Sequence, residues 1–183
     1  MSEEALLRTI VLLQDKIEEL QSENIKLKHE IYLDPLTGLY NRRYLEKIDP
    51  EEVSGLILCD IDLFKMVNDT YGHTVGDIVL QKVSMTLKNA LNMGKVIRYG
   101  GEEFLIVFED TPVEMMCEIA EELRKSIEKL NLGFPLTMSF GVSEPKDNDI
   151  KQTISLADSA LMECKRTGRN KVVFLNPKTM FCL

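Results

Sequence analysis

Two neighbouring glutamates, Glu102 and Glu103, follow a Gly100-Gly101 pair and lead into the apolar run Phe104-Leu105-Ile106-Val107-Phe108. Upstream, the apolar run Gly55-Leu56-Ile57-Leu58-Cys59 ends in Asp60-Ile61-Asp62. Adjacent carboxylates at a turn repel each other, a cost that a solvated surface tolerates and a divalent cation removes. If Asp60 and the glutamates are sheet neighbours, three or four carboxylates converge, and like charges in a desolvated site raise one another's pKa until a cation joins them. Such a cluster suits phosphoryl transfer assisted by two metal ions, in which carboxylates hold cations that neutralise a polyphosphate and activate a hydroxyl. The ordinary alternative for the glutamate pair is a solvated acidic hairpin tip.

The elements that position these groups are legible as patterns. Lys95-Val96-Ile97 before the glycines and Phe104 to Phe108 after them predict a hairpin with Gly-Gly at its turn, strands at about 95 to 99 and 103 to 109. The run at Gly55 suits a strand buried on both faces, ending in two aspartates that alternation puts on one side. Leu63 to Asp69 reads as a short helix that Asp62 is placed to cap, Gly72 and Gly76 as loop, and Asp77 to Leu91 as a longer helix. Pro112 opens a helix carrying Met115, Met116, Ile119, Leu123, Ile127 and Leu130 at helical spacing, a core stripe. Leu136 to Val142 alternates as a strand, 151 to 167 is helical and Lys171 to Leu175 is a last strand. The predicted class is α/β, a central mixed five-stranded sheet flanked by helices and preceded by a coiled-coil helix.

Residues 1–31 hold that coiled coil. Leu6, Ile10, Leu13, Ile17, Leu20, Asn24, Leu27 and Ile31 alternate by four and three, the seam of a heptad repeat. Isoleucine at a with leucine at d favours a parallel two-stranded coil, and one Asn at a fixes register and dimer state. Glu23 can meet Lys28 of the partner helix, a pair contributing roughly 0 to 1 kcal/mol. A homodimer is therefore expected, with 1–31 as the dimerisation helix and 32–183 as the globular domain; packing of the helix on its own domain is the competing reading.

The chain of 183 residues has a net charge of −8 and no sustained basic stripe, which argues against nucleic acid as a partner. An acidic protein that handles a polyphosphate needs metal ions. The longest N-terminal apolar run, Ile10 to Leu13, is too short for a membrane span or signal core, so a cytoplasmic location without membrane association is expected. Cys59, Cys117, Cys164 and Cys182 show no paired spacing, and reduced thiols are expected.

Gly100-Gly101-Glu102-Glu103-Phe104 resembles the signature of the GGDEF family of diguanylate cyclases, in its GGEEF variant. The segment Asp60 to Asp77 is similar to the family's D-I-D-x-F-K-x-x-N-D-x-x-G-H-x-x-G-D, Asp34 to Arg43 to its wide turn D-x-L-T-G-L-x-N-R-R, and Ala157 to Asn170 to its A-D-x-A-L-Y-x-A-K-x-x-G-R-N, with Met162 and Cys164 in place of Tyr and Ala. Together the likeness covers about residues 32 to 175 and implies a fold related to nucleotidyl cyclases and polymerase palms.

The resemblance also implies an activity and roles for residues. Two GTP condense to cyclic di-GMP and two pyrophosphates in a homodimer; the rival reading is an inactive domain that binds GTP or cyclic di-GMP as a regulatory module. Asp60, the carbonyl of Ile61 and Glu103 would hold two magnesium ions per site, with manganese as the alternative, and Glu102 would be a further ligand or base toward the ribose 3′-hydroxyl. Backbone N–H groups of Leu63 and Phe64, with Lys65 beside them, would cradle phosphates at a helix start. Asn68 and Asp77 would bind guanine, His73 would lie close to the nucleotide, and Lys165 and Arg169 would contact the triphosphate. An ionised Asp77 suits the N1–H and N2 donors of guanine and not adenine. Each group has a plainer explanation too: Asp62 as a helix cap, Asn68-Asp69 as a helix terminus, His73 as a structural hydrogen bonder, Asp77 as an N-cap, and Lys165 and Arg169 as cations at a helix C-terminus. Leu91-Asn92-Met93-Gly94 stands where many relatives carry an R-x-x-D feedback site, so product inhibition through that site is not expected. An upstream sensor or partner acting through the heptads is compatible with the resemblance, though the sequence shows none.

Overall fold

The strand read as buried on both faces is the middle of the sheet. The computed structural model describes residues 3–90 and 94–175, and in it β2 (Val53–Ile61) lies between two antiparallel neighbours. These are β4 (Glu103–Glu109) and β5 (Met138–Ser143). β3 (Lys95–Arg98) pairs antiparallel with β4, β6 (Val172–Leu175) parallel with β5, and with β1 (Tyr40–Asn41) the order is β1-β3-β4-β2-β5-β6. The sheet has six strands rather than the five expected. The added β1 is two residues, Tyr40–Asn41, running parallel to β3 through Tyr40 and Ile97. So short a segment carries no alternation, so its strand character comes only from the neighbour it pairs with.

Alternation along β2 sorts the helices. Ile57, Cys59 and Ile61 join Phe104, Ile106 and Phe108 of β4 in a core covered by α3 (His73–Ala90) and α4 (Val113–Glu128). Leu56 and Leu58 join Leu105 and Val107 in a second core under α5 (Ile150–Arg166), which contributes Ile154, Ala157 and Leu161. By the same period of two, Asp60 and Glu103 belong to the α5 side. α5 lies close enough to β5 that a Cβ on Gly141 would run into backbone atoms of Ala157 and Leu161. The glycine is therefore required by packing.

α2 (Phe64–Tyr71) follows β2 and is succeeded by α3, which starts at His73, not near Asp77 as the sequence suggested. Gly76, read as loop, is buried inside α3, where a Cβ would collide with the Asn68 side chain. Asp77 is thus a helical residue and not an N-cap. Asp62 does not cap α2 either: the N-cap position is Leu63, in the left-handed region at φ 57°, and it makes no side-chain cap bond. Asn41 does cap the following 3-10 helix (Arg42–Lys47), accepting from the Arg43 N–H.

α1 runs as one helix from Glu3 to Tyr32. Of its seam, Ile10, Leu13, Ile17, Leu20, Asn24 and Ile31 are exposed, so the helix does not bury that stripe against its own domain; the Leu6 and Leu27 side chains lie outside the described residues. It meets the domain at its C-terminal end. Asn41 donates to the carbonyls of Ile31 and Leu33 at 2.8 and 3.1 Å, and the Tyr32 ring stands edge-on to Tyr44 at 6.1 Å. No helix among the described residues is long and apolar enough to cross a membrane. Cys59, Cys117 and Cys164 are free thiols; Cys182 lies outside the described residues, as do residues 91–93 and the feedback-site reading that falls on them.

Candidate active site

The register of the sheet brings the two carboxylate-bearing stretches together. Asp60 of β2 sits directly across from Glu103 of β4 on one side and Ser139 of β5 on the other. The Ile61 N–H donates to the Glu102 carbonyl at 3.3 Å, which ties the end of β2 to the Gly-Gly turn. Tyr99 and Gly100 N–H groups both donate to the Glu103 carbonyl, at 2.9 and 3.2 Å, closing that turn. A Cβ on Gly100 would lie 2.6 Å from the Glu103 carboxylate, so glycine leaves that side chain its space.

Above them, the stripe of α5 that packs Ala157 and Leu161 on the sheet continues, four residues on, to Lys165. Its ammonium reaches Asp60 Oδ1 at 3.0 Å. Burial nonetheless pushes the Asp60 carboxyl up, to about 6, against the pull of Lys165 and with the added repulsion of Glu102 and Glu103. The site thus carries more negative charge than its one bonded ammonium offsets. Glu102 and Glu103 themselves are half-buried.

This is a narrower cluster than three or four converging carboxylates. Among the described residues, no three His, Cys, Asp or Glu side chains gather as a metal-holding group. Asp62, the fourth acid considered, is turned to other work: its two oxygens accept from Thr137 Oγ1 and Ser139 Oγ at 2.7 Å each and from the Asn170 N–H at 3.0 Å. What remains for a cation is Asp60, Glu103 and main-chain carbonyl oxygen, an all-oxygen donor set beside surplus negative charge. That set fits hard divalent ions such as magnesium or manganese.

The nucleotide-binding candidates lie on the segment that leaves β2. Leu63 in the left-handed region feeding a right-handed helix turns successive N–H groups to one side, and the first N–H groups of α2 have no partner within the helix. Phe64 itself is buried, so only its backbone is available, while Lys65 is exposed. Asn68 is half-buried against Gly76 of α3; His73 and Asp77 are exposed on the first turns of that helix. Lys165 belongs to the last turn of α5, whereas Arg169 lies past its end, exposed, with φ 62°.

Arg98 is a site residue that sequence reading passed over. Its guanidinium grips both Asp34 oxygens, at 3.0 and 3.2 Å, and donates to the Gly101 carbonyl at 2.8 and 3.3 Å. Burial alone would raise the Asp34 carboxyl, but hydrogen bonds from Thr37 and Arg98 hold it below the ordinary range. The end of α1 is thereby two side chains from the glutamate turn. An arginine three residues before the second glycine was the available signal.

Known proteins share this fold. The family model described as "Diguanylate cyclase, GGDEF domain" matches residues 31–171. The chain is 35% identical over 180 residues to the diguanylate cyclase DosC of Escherichia coli K12, an alignment spanning 89% of this chain and 38% of that protein. The diguanylate cyclase SiaD of Pseudomonas aeruginosa, solved in complex with its activator SiaC, superposes with a TM-score of 0.79 at 34% identity, over 93% of this chain and 72% of that one. The coiled coil and GGDEF domain of DgcB from Caulobacter crescentus, solved with c-di-GMP, gives a TM-score of 0.80 at 26% identity, over 93% of this chain and all of that one. The chain spans about two fifths to one half of the length of the curated relatives it matches. On the matched motifs and the shared sheet, the chain belongs to the GGDEF family of diguanylate cyclase domains.

Proposed function

We propose that the chain is a diguanylate cyclase, joining two GTP into cyclic di-GMP with release of two pyrophosphates. The observation that carries this reading is the pairing of Asp60 with Glu103 across β2 and β4, with Lys165 of α5 bonded to Asp60. Residues 1–31 serve as the dimerisation helix and 32–183 as the catalytic domain. Asp60, Glu103 and the Ile61 carbonyl would hold two divalent cations, magnesium or manganese. When bound, such ions neutralise triphosphate charge and lower the pKa of the attacking hydroxyl.

The chain's own groups do the rest. N–H groups of Leu63 and Phe64 cradle the phosphates with Lys65, and Lys165 and Arg169 bind the triphosphate from the α5 side. Asn68 and Asp77 take the guanine edge, with His73 near the nucleotide. Glu102 accepts the 3′-hydroxyl proton as the oxygen bonds the α-phosphorus of the second GTP; the bond from that phosphorus to pyrophosphate breaks, and the reaction repeated in the other direction closes the ring. Each protomer supplies one GTP, so the exposed seam of α1 supports a homodimer through a parallel coiled coil. A cytoplasmic location fits a GTP-consuming domain.

The test is to incubate the protein with GTP and magnesium, and separately with ATP, and identify products by chromatography and mass. Cyclic di-GMP from GTP alone, reduced at least about 100-fold in Glu103→Gln, is the expected outcome. GTP binding without product from the unaltered chain would replace this reading with a regulatory module.

A further inference from the structure

The loop after α5 holds three successive residues at positive φ: Gly168 at 111°, Arg169 at 62° and Asn170 at 46°. Glycine adopts that region freely, but a run continuing through arginine and asparagine persists only where surroundings hold it. Here the holding groups are visible. The Arg169 N–H donates to the Cys164 carbonyl at 2.8 Å, and the Asn170 N–H to Asp62 Oδ2 at 3.0 Å. The Asn170 amide then reaches across to α4: its Oδ1 accepts from Arg124 Nη1 at 2.8 Å, and its Nδ2 donates to Glu128 Oε1 at 2.8 Å.

Arg124 is itself fixed. Its Nε and Nη2 donate to the two oxygens of Glu121 at 2.8 Å each, and Nη1 also reaches Glu128 Oε2 at 3.1 Å. Only 13% of its side chain is exposed, although an arginine paired merely for solubility stands in water. A planar guanidinium locked by a carboxylate on one edge presents its remaining N–H groups in a set direction, which an ammonium cannot do. That direction is toward Asn170.

We propose that Arg124, through Asn170, is a positioning residue that presents Arg169 to the nucleotide triphosphate. This rests on the proposed cyclase reading, in which Arg169 is a phosphate contact. Asp62 supports the same loop from the sheet side, which accounts for a buried carboxylate that neither caps α2 nor joins the Asp60 group. Loss of Arg124 removes one of the three groups that hold Asn170, the others being Asp62 and Glu128, and so loosens the presentation of Arg169, weakening ground-state binding of GTP without altering the groups at the reacting phosphorus.

The test compares Arg124→Met, Asn170→Gly, Arg169→Ala and the double variant Arg124→Met with Arg169→Ala. It reads KM and kcat for cyclic di-GMP formation, direct GTP binding by calorimetry, and thermal unfolding. Expected for Arg124→Met is a rise of about tenfold in KM and in the dissociation constant for GTP, with kcat within about twofold. Asn170→Gly, which tolerates the backbone angle but lacks the amide, shows the same rise with the fold intact. In the Arg169→Ala background, removing Arg124 adds less than about twofold, because the group it positions is gone. An unchanged KM and affinity in Arg124→Met, or an equal rise with and without Arg169, overturns the inference while leaving the cyclase reading in place. An unaltered chain that binds no GTP overturns both.

Discussion

Asp60 shows what a buried carboxylate costs the protein that carries it. Its carboxyl is raised to about 6 in the folded chain, mainly by burial, against an ordinary value of 3.8. Between those values the folded state keeps a proton that the unfolded state releases, so stability falls as pH rises through that window and stays low above it. Below about pH 3.8 both states are protonated and the penalty vanishes. Asp60→Asn removes the charge while keeping the shape. In metal-free buffer it is expected to unfold at higher urea than the unaltered chain at pH 7.5, by up to about 3 kcal/mol, with the gain shrinking toward zero near pH 4. A gain independent of pH would assign the effect to packing instead of charge. Adding magnesium with GTP should stabilise the unaltered chain more than the variant, since the variant has lost the buried charge that a bound cation offsets.

At the scale of elements, the hairpin is held from behind. Arg98 joins Asp34, two residues past the end of α1, to the Gly101 carbonyl next to Glu102. Arg98→Met is expected to lower cyclase turnover about tenfold with GTP affinity nearly unchanged, and to cost about 1–3 kcal/mol of stability because Asp34 is left part-buried with only Thr37 as its side-chain donor. Asp34→Asn should do much the same, and the two together little more than either; additive losses of turnover would show that the link is not a unit. The elements themselves were largely legible, because β2, β4 and β5 are apolar runs and α4 and α5 carry helical stripes. What was not legible depends on distant partners. Asp62 looked like a cap because an Asp before a helix is a common start signal, while its actual partners Thr137, Ser139 and Asn170 lie 75 to 108 residues away. Gly76 looked like loop because its purpose, room for Asn68, is a contact between two helices. The pairing of Asp60 with Glu103 was foreseen only as a condition, since register between residues 43 apart in sequence is set by packing of whole strands.

The described residues form a domain and a long helix whose apolar seam is exposed. α1 extends 30 residues, about 45 Å, with Ile10, Leu13, Ile17 and Leu20 between 43% and 58% exposed. Apolar seams of that kind are stable only against a second helix, and Ile at a with Leu at d selects a parallel pair, which brings two identical domains to the same end of the coil. That arrangement is what the proposed condensation requires, because one site holds one GTP and the attacking hydroxyl must come from the other. Coupling the domains through the coil replaces a second-order encounter by an effective concentration in the millimolar range for a short tether. Leu20→Asp places a carboxylate on each side of the seam, where burial and like charge oppose pairing. The expected result is a shift to monomer in sedimentation and a turnover per chain that rises with protein concentration, approaching the unaltered value only where the domains meet unaided. The unaltered chain should show turnover independent of concentration over the same range. Equal, concentration-independent loss in the variant would mean that the helix acts on its own domain through Asn41, Asp34 and Arg98, and that pairing of the sites is organised by the domains themselves.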